Sequence, residues 1–304
     1  MDKQVLDVAI IGGGPAGLNA ALVLGRARKN VAVIDEGRPR NAVTREAHGF
    51  LTRDGISPSE FRRIAREEIS SYPSVSFIAD TAVSIAGTDG HFQIVTAQGN
   101  TFSSKKLLFA VGMKDRPLNI PGLAEVYGKS AFVCPYCDGW ELRDKPLVVI
   151  TKGTELMHFA PLISGWTDHF TICTNGPDEL TDEERKALQR KIALYESPIR
   201  HIDSNDGIVR EVILEDGTTI PCRGIFFKPD LVTGSDLPRT IGCEIAETGN
   251  VVVDTFGKTN VSGVYSAGDV ISRFHQSIVA ASNGAIVAGA INNELNTESW
   301  WRKG

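Results

Sequence analysis

Two cysteines with two residues between them, Cys134 and Cys137 of FVCPYCDGWE, stand directly before an acid, Asp138. A C-x-x-C pair can supply half of a metal site, staple a loop, or pass electrons by thiol–disulfide exchange, and the spacing alone does not choose. The other cysteines, Cys173, Cys222 and Cys243, stand alone in or near apolar strand-like runs such as HFTIC and read as small buried hydrophobes. A second chemistry lies near the start of the chain. Gly12, Gly14 and Gly17 form G-x-G-x-x-G between an apolar run and a helix-like stretch. The first glycine permits a tight turn, the second lets the backbone approach a pyrophosphate, and the third lets the helix pack against the strand. The helix N-terminus then attracts the phosphate charge. Asp35 ends the next strand, where a carboxylate can take the ribose hydroxyls of a dinucleotide.

These groups need elements to hold them. VLDVAIIGGGPAGLNAALVLGRARKNVAVIDEG reads as strand, turn, helix and strand, the unit of a parallel sheet covered by helices. PLVVI, at 146–150, begins a second such unit, with LMHFAPLISGW as its helix and FTIC as its next strand. DELTDEERKALQRKIAL is predicted to form one amphipathic helix capped by Asp or Thr. IVREVILEDGTTI is predicted to form a hairpin around its Asp-Gly pair. The fold class is therefore α/β, with two Rossmann-like dinucleotide-binding domains. The best joints are KDRPLNIPG (114–122) and the region of Ser235–Pro238.

A chain of 304 residues is comfortable for two domains. Its 42% hydrophobic and 23% charged residues are an ordinary globular balance. The net charge of −5 argues against a general nucleic-acid binder. No apolar run approaches the ~20 residues of a membrane span. MDKQVLDVAIIGGG lacks the apolar core and cleavage site of a signal peptide, which points to the cytoplasm. Five cysteines do not make a disulfide scaffold.

Far downstream lies TNVSGVYSAGDVISRFHQSIVAASNGAIVAGAI. With it, the chain resembles the two-dinucleotide-fold flavoproteins and, within them, the low-molecular-weight thioredoxin reductases. GVYSAGD matches that family's G-V-[FY]-[AS]-A-G-D motif, and LLFAVGMKDRPLNIPG resembles its A-T-G strand, with Val111 in place of threonine. The resemblance runs over the whole chain. It implies an FAD domain of residues 1–115 and 240–304, discontinuous around a central domain, 116–239, that carries the C-x-x-C. FAD would be held by Gly12, Gly14, Pro15, Ala16, Gly17, Asp35, Glu36, Arg40, Asn41, Ala110, Gly112 and Gly268, with Asp269 at the ribityl chain. Gln276 and Ser277 would open a helix pointing at the flavin ring, where His275-Gln276-Ser277 replaces the family's usual Arg-Gln-Ala. His48, in EAHGFLTRDG, sits where the family places a loop over the flavin's edge; it could bond the ring or lie on the surface.

The resemblance also speaks to the cysteine pair. A C-x-x-C-D-G at this place is the family's redox-active disulfide, which Cys134, Cys137 and Asp138 match. Cys137 would face the flavin, Cys134 would be the interchange thiol, and Asp138 would exchange a proton with the leaving thiolate. An aspartate at its ordinary ~3.9 is a poor acid near neutral pH, so that role needs burial to raise it. Asp138 could also serve as a helix N-cap. Zinc would need four ligands, yet there is no second C-x-x-C, and His158 and His169 lack ligand spacing. A homodimer is implied as well.

One part of the family pattern is broken. Members carry G-x-G-x-x-A in the central domain for NADPH, followed by a His-Arg-Arg run after the next strand. Here VVITKGTELMHFA puts Thr151 at the first glycine and Lys152 beside it, leaving Gly153. TNGPDEL follows FTIC, with acids instead of an arginine pair. Both changes oppose NADPH, although the helix start and Lys152 could still hold a nicotinamide cofactor weakly. Three functions are therefore weighed. The chain could reduce a thioredoxin-like protein or small disulfide using electrons from ferredoxin or another donor, received on Arg26, Arg28, Lys29, Arg38, Arg40 and Arg45, residues that equally form a solvated basic face. It could run in reverse as a dithiol oxidase that passes electrons to oxygen, like the flavoenzymes that close disulfides in holomycin and gliotoxin biosynthesis. It could instead be a flavin-binding redox sensor, which no added domain supports. Trp300 and Trp301, expected beyond the last helix, suggest either dimer packing or an indole shielding the flavin.

Overall fold

The structure is a computed structural model that describes residues 5–302; residues 1–4 and 303–304, the outermost residues of the expected FAD domain, lie outside the described residues. The chain forms two compact units. The first takes the chain up to Ala42, Gly49–Lys114 and everything from Leu231 onward; the second takes Val43–His48 and Asp115–Asp230. The return at Leu231 comes ahead of the expected 240. The cause is local packing. Leu237 is buried in the first unit's core, and the Gly234 amide donates to the Gly112 carbonyl at 2.9 Å.

In the first unit, described strands lie in the order Val75–Ala79, Val31–Asp35, Leu6–Ile11, Thr101–Phe109, His91–Thr96 and Ala82–Thr88, and Val264–Ser266 also pairs with Thr101–Phe109. The pairings of Leu6–Ile11 with both neighbours are parallel, as is that of Val264–Ser266. LDVAII and VAVID are nearly continuous apolar runs because such strands are covered on both faces. The helix Pro15–Arg26 opens with proline, whose missing N–H costs nothing at that position. It lies close against the C-terminal helix Ser277–Arg302. A Cβ built on Gly284 would sit 2.1 Å from the Ala16 carbonyl oxygen, so this approach requires glycine.

Lys106 is fully buried on the long strand Thr101–Phe109, and its ammonium reaches Asp89 at 2.7 Å and both Glu294 and Glu298 of the C-terminal helix at 2.5 Å. Among the described residues, those three carboxylates are the one group close enough together to hold a metal ion, and the lysine already supplies the positive charge there.

The second unit has a parallel sheet in the order Ala193–Tyr195, Phe170–Cys173, Leu147–Ile150, Gly224–Phe227 and Ala131–Phe132. Its central strands alternate between two cores. Val148, Ile150, Ile225 and Phe227 face one, while Leu147, Val149 and Phe226 join Leu156 and Ile163 of the helix Thr154–Ile163 in the other. The Asp-Gly hairpin forms between Ile208–Leu214 and Thr219–Pro221.

The single helix predicted over DELTDEERKALQRKIAL is shorter. A capping box from Thr181 and Glu184 starts it, but it spans only Asp182–Gln189. Ala193–Tyr195 instead forms an edge strand on Phe170–Cys173, where sheet pairing overrides the local helical pattern. Trp300 and Trp301 lie within the C-terminal helix rather than beyond it, 74% and 76% exposed. No described helix is long and apolar enough to cross a membrane.

Candidate functional site

The first unit brings three distant segments to one place. At Gly12, φ is +109°, and an added Cβ would meet the Ala110 carbonyl oxygen at 2.2 Å; one on Gly17 would meet the Gly12 carbonyl oxygen at 2.0 Å. The first and third glycines are thus fixed by backbone contact. Gly14, at the helix N-cap, has nothing within 4 Å of such a Cβ, so its surface is open to a ligand. Gly268, also at positive φ, lies so close to Ala16 that its Cβ would meet that residue's at 2.9 Å. The glycine turn, Ala110 and Gly268 therefore converge.

Around this cradle the side chains are polar. Asp35 accepts the Gly13 amide at 2.9 Å, and its other oxygen accepts from Arg66 at 3.0 Å and more closely from Arg62. Both arginines lie on the helix Pro58–Ser70, whose N-cap Ser57 accepts the Glu60 amide. The Nε atoms of Arg62 and Arg66 are buried without a hydrogen-bond partner, and a cavity of about 650 Å³ opens beside Asp35, Glu36 and these arginines. Sequence reading missed Arg62 and Arg66. The S-x-x-E start and the arginines four residues apart mark one face of a helix, but not the carboxylate that face meets.

Arg40 bridges to His275 at 3.0 Å and to Asp269 at 3.8 Å, and Asn41 follows it in the short 3-10 turn Arg40–Val43. Gln276 lies near Gly49, and Ser277 starts the C-terminal helix. Glu36 pairs with Lys114 at 3.7 Å.

The second unit holds the dithiol. Cys134 and Cys137 are bridged, with Cα atoms 5.3 Å apart. Cys134 is the N-cap of the short helix Pro135–Asp138, and its carbonyl accepts the amides of Cys137 and Asp138 at 3.1 Å. Asp138 is therefore the last residue of this helix and not its N-cap. The glycine after it is required, because a Cβ on Gly139 would fall 2.4 Å from the Pro135 carbonyl oxygen and 2.8 Å from Trp166.

Burial beside Glu141 pushes the Asp138 carboxyl up to about 7, against the opposing pull of His48. His48 lies in this same unit, with Nε2 3.6 Å from Glu46 and 3.7 Å from Glu141. Exposed aromatic surface flanks the bridge. Tyr136 meets Trp166 edge-on at 5.5 Å, and the Arg143 guanidinium lies 4.0 Å above the Trp140 ring. The other three cysteines are buried and free; burial pushes the Cys173 and Cys222 thiols up to about 12, which makes them inert at neutral pH.

The second unit's own turn is built differently from the first. Thr151 is buried at the position of Gly12, and Leu156, fully buried, stands where Gly17 stands in the first unit. Gly153, the N-cap of Thr154–Ile163, donates its amide to the Asp178 carboxylate at 2.9 Å.

Comparison with known proteins agrees with this arrangement. The family model described as pyridine nucleotide-disulphide oxidoreductase matches residues 6–285, and the chain belongs to that family. A thioredoxin reductase of Leptosphaeria maculans, sirT, is 31% identical over 95% of this chain and 94% of its own. TrxB of Bacillus anthracis, whose crystal structure carries a provisional thioredoxin reductase assignment, is 40% identical, covers 97% of this chain and 99% of its own, and superposes with a TM-score of 0.92. The crystal structure of HlmI is 33% identical, covers 98% and 95%, and also gives 0.92. The chain is thus a flavin-dependent disulfide oxidoreductase of the thioredoxin-reductase-like kind.

Proposed function

We propose that the chain exchanges electrons between FAD, the Cys134–Cys137 pair and an outside disulfide or dithiol, without efficient use of NADPH. The observation that carries this reading is the Cys134–Cys137 bridge with Asp138 directly after it, a carboxyl held neutral up to about pH 7. The first unit fits FAD. An open N-cap at Gly14, two buried Nε donors and a carboxylate at Asp35 suit a diphosphate and a ribose. Gly268, Asp269, Arg40, Gln276 and Ser277 would hold the remainder. Bound there, the flavin supplies the two-electron partner of the dithiol.

In the reducing direction, the Cys134–Cys137 bridge accepts two electrons and becomes a thiol pair. The Cys134 thiolate attacks an outside disulfide, forming a mixed disulfide and releasing one thiolate, to which Asp138 gives a proton. Cys137 then displaces the second outside thiolate and restores the bridge. Run in reverse, the same steps oxidise an outside dithiol, and the electrons pass on to oxygen; Thr151 in place of the first glycine supports either route that does not draw on NADPH. A thioredoxin-like protein and a small-molecule disulfide or dithiol are the partner classes, with ferredoxin as a candidate donor. We place the chain in the cytoplasm as a homodimer.

Anaerobic titration of the yellow protein separates the readings, with NADPH, NADH and a small dithiol added in turn while the visible flavin band is followed. Bleaching by the dithiol but by neither nucleotide is the expected result. Rapid bleaching by NADPH would make the chain a conventional NADPH-dependent reductase and sink the donor part of the reading.

A further inference from the structure

The second unit has the strand–turn–helix framework of a dinucleotide site, with Leu147–Ile150 leading into Thr154–Ile163. In such a framework the diphosphate sits against the amides of the helix N-terminus. Three features here do not fit a pyridine nucleotide. Leu156 stands at the position of the third glycine and is fully buried in the unit's core, whereas Gly17 lets the first unit's helix touch its own turn. Thr151, a β-branched residue, is buried where the first glycine makes the tight turn. The amide that should face a phosphate is already taken, since Gly153 donates to Asp178 Oδ2 at 2.9 Å.

Asp178 is itself firmly held. Its other oxygen accepts the Leu180 amide at 3.0 Å, and its own amide donates to Glu196 at 3.2 Å. Arg185, the cation next to these acids, is paired with Glu196. Glu155, in the first turn of the helix, is tied to Lys228 at 2.5 Å. The helix N-terminus thus carries Asp178 and Glu155, with Glu196 behind them. A diphosphate would have to displace the Asp178 carboxylate from the Gly153 amide, because Glu155 and Glu196 are already engaged by Lys228 and Arg185 and only Asp178 occupies the place of a phosphate.

We infer that Asp178 stands in for the dinucleotide diphosphate in the second unit, and that this internal carboxylate closes the unit to pyridine nucleotides. The inference rests on the proposed NADPH-independent reading and supplies its structural cause. In the first unit the corresponding N-cap, Gly14, is open, and the acid at the end of the second strand, Asp35, bonds the neighbouring Gly13 instead. One framework is open to its ligand, and the other is capped by its own chain.

The test uses the flavin-loaded full chain and its Asp178→Ala and Asp178→Asn variants. Equilibrium dialysis measures binding of NADPH and NADH, and thermal melting is followed with and without inorganic pyrophosphate. Wild type is expected to show no saturable nucleotide binding and no pyrophosphate effect. Asp178→Ala should show saturable nucleotide binding, with a Kd at least about tenfold below the highest concentration at which wild type shows none, which corresponds to ~1.4 kcal/mol. It should also melt lower, with pyrophosphate restoring part of the loss. Asp178→Asn keeps an acceptor for the Gly153 amide without the charge, so it should fall between the two.

If Asp178→Ala does not fold, the asparagine variant decides by its smaller gain in binding over wild type. A folded variant of either kind, with wild-type flavin content but no gain, overturns the inference and leaves the donor reading standing. Tight NADPH binding by wild type overturns both.

Discussion

The ammonium of Lys106 lies 2.5 Å from Oε1 of Glu294, joining the long strand of the first unit to the C-terminal helix through a fully buried charge. Burial works against the Glu294 carboxylate, but donation from Lys106, Lys258 and Tyr265 outweighs it and brings the group down to about 2 from an ordinary 4.5. Lys106→Met would leave Asp89, Glu294 and Glu298 without their central cation. We expect a loss of about 3–5 kcal/mol, the cost of stranding buried charge. Urea unfolding checks this, and a loss below about 1 kcal/mol would show that solvent already screens the cluster.

Acid should probe the same carboxylate. The unfolded chain takes up the Glu294 proton near 4.5, while the folded chain resists until about 2. The unfolded state therefore binds more protons in that window, and stability present above 4.5 is lost as pH falls through it. Urea midpoints measured from pH 5 to pH 3 should drop, and the Lys106→Met variant should drop less steeply.

Replacing Cys134 or Cys137 by serine should leave the protein yellow, because every residue assigned to the flavin cradle other than His48 belongs to the first unit and the bridge to the second. Disulfide turnover should fall at least ~10²-fold, the scale of losing a group that takes part in bond exchange. Steady-state assays with a chromogenic aryl disulfide read this, and a serine variant that keeps near-native turnover would remove the dithiol from the reaction.

Asp138→Asn should erase an inflection near pH 7 in the rate of disulfide turnover, since the carboxyl is held up to about 7 by burial and Glu141. Stability gives a second readout of opposite sense to Glu294. The folded chain keeps this proton to higher pH than the unfolded one, whose group titrates near 3.8. The group's favourable contribution is complete below 3.8 and is lost as pH rises through 7. Asp138→Asn should thus gain stability relative to wild type at pH 8 more than at pH 5. An unchanged difference between those two pH values would place the carboxyl in water.

Gly17→Ala tests the cradle, because its Cβ would meet the Gly12 carbonyl oxygen at 2.0 Å. The helix or the turn must move, and flavin content after purification should fall sharply. Arg62→Met together with Arg66→Met should weaken flavin retention without that steric conflict. Wild-type flavin content in both variants would show that the cofactor is held elsewhere.

Much of this was legible in local sequence. The glycine turn, its flanking strands and the Asp-Gly hairpin depend on a few consecutive residues, and each forms where the pattern places it. What was lost depended on distant partners. Ile192 and Leu194 continue a helical apolar pattern, yet the free edge of Phe170–Cys173 draws Ala193–Tyr195 into the sheet. Arg62 and Arg66 acquire meaning only when their helix is laid against Asp35, and no spacing along the chain announces that contact. The acids after FTIC were visible as a mismatch to NADPH, but the bond from Gly153 to Asp178 could be seen only in three dimensions.

The first unit is interrupted by the second, so the halves of its cradle are separated in the order of synthesis. Gly12 to Gly17 leave the ribosome early, whereas Gly268, which closes against Ala16, and Gly284, which seats the C-terminal helix on it, follow only after the whole second unit has emerged. The dithiol unit can thus be complete while the flavin unit is still an unfinished sheet, exposing apolar strand surface until Val264–Ser266 arrives. Yellow colour then requires translation to have passed Gly268, and we expect a nascent chain stalled before it to stay colourless even with free flavin at hand.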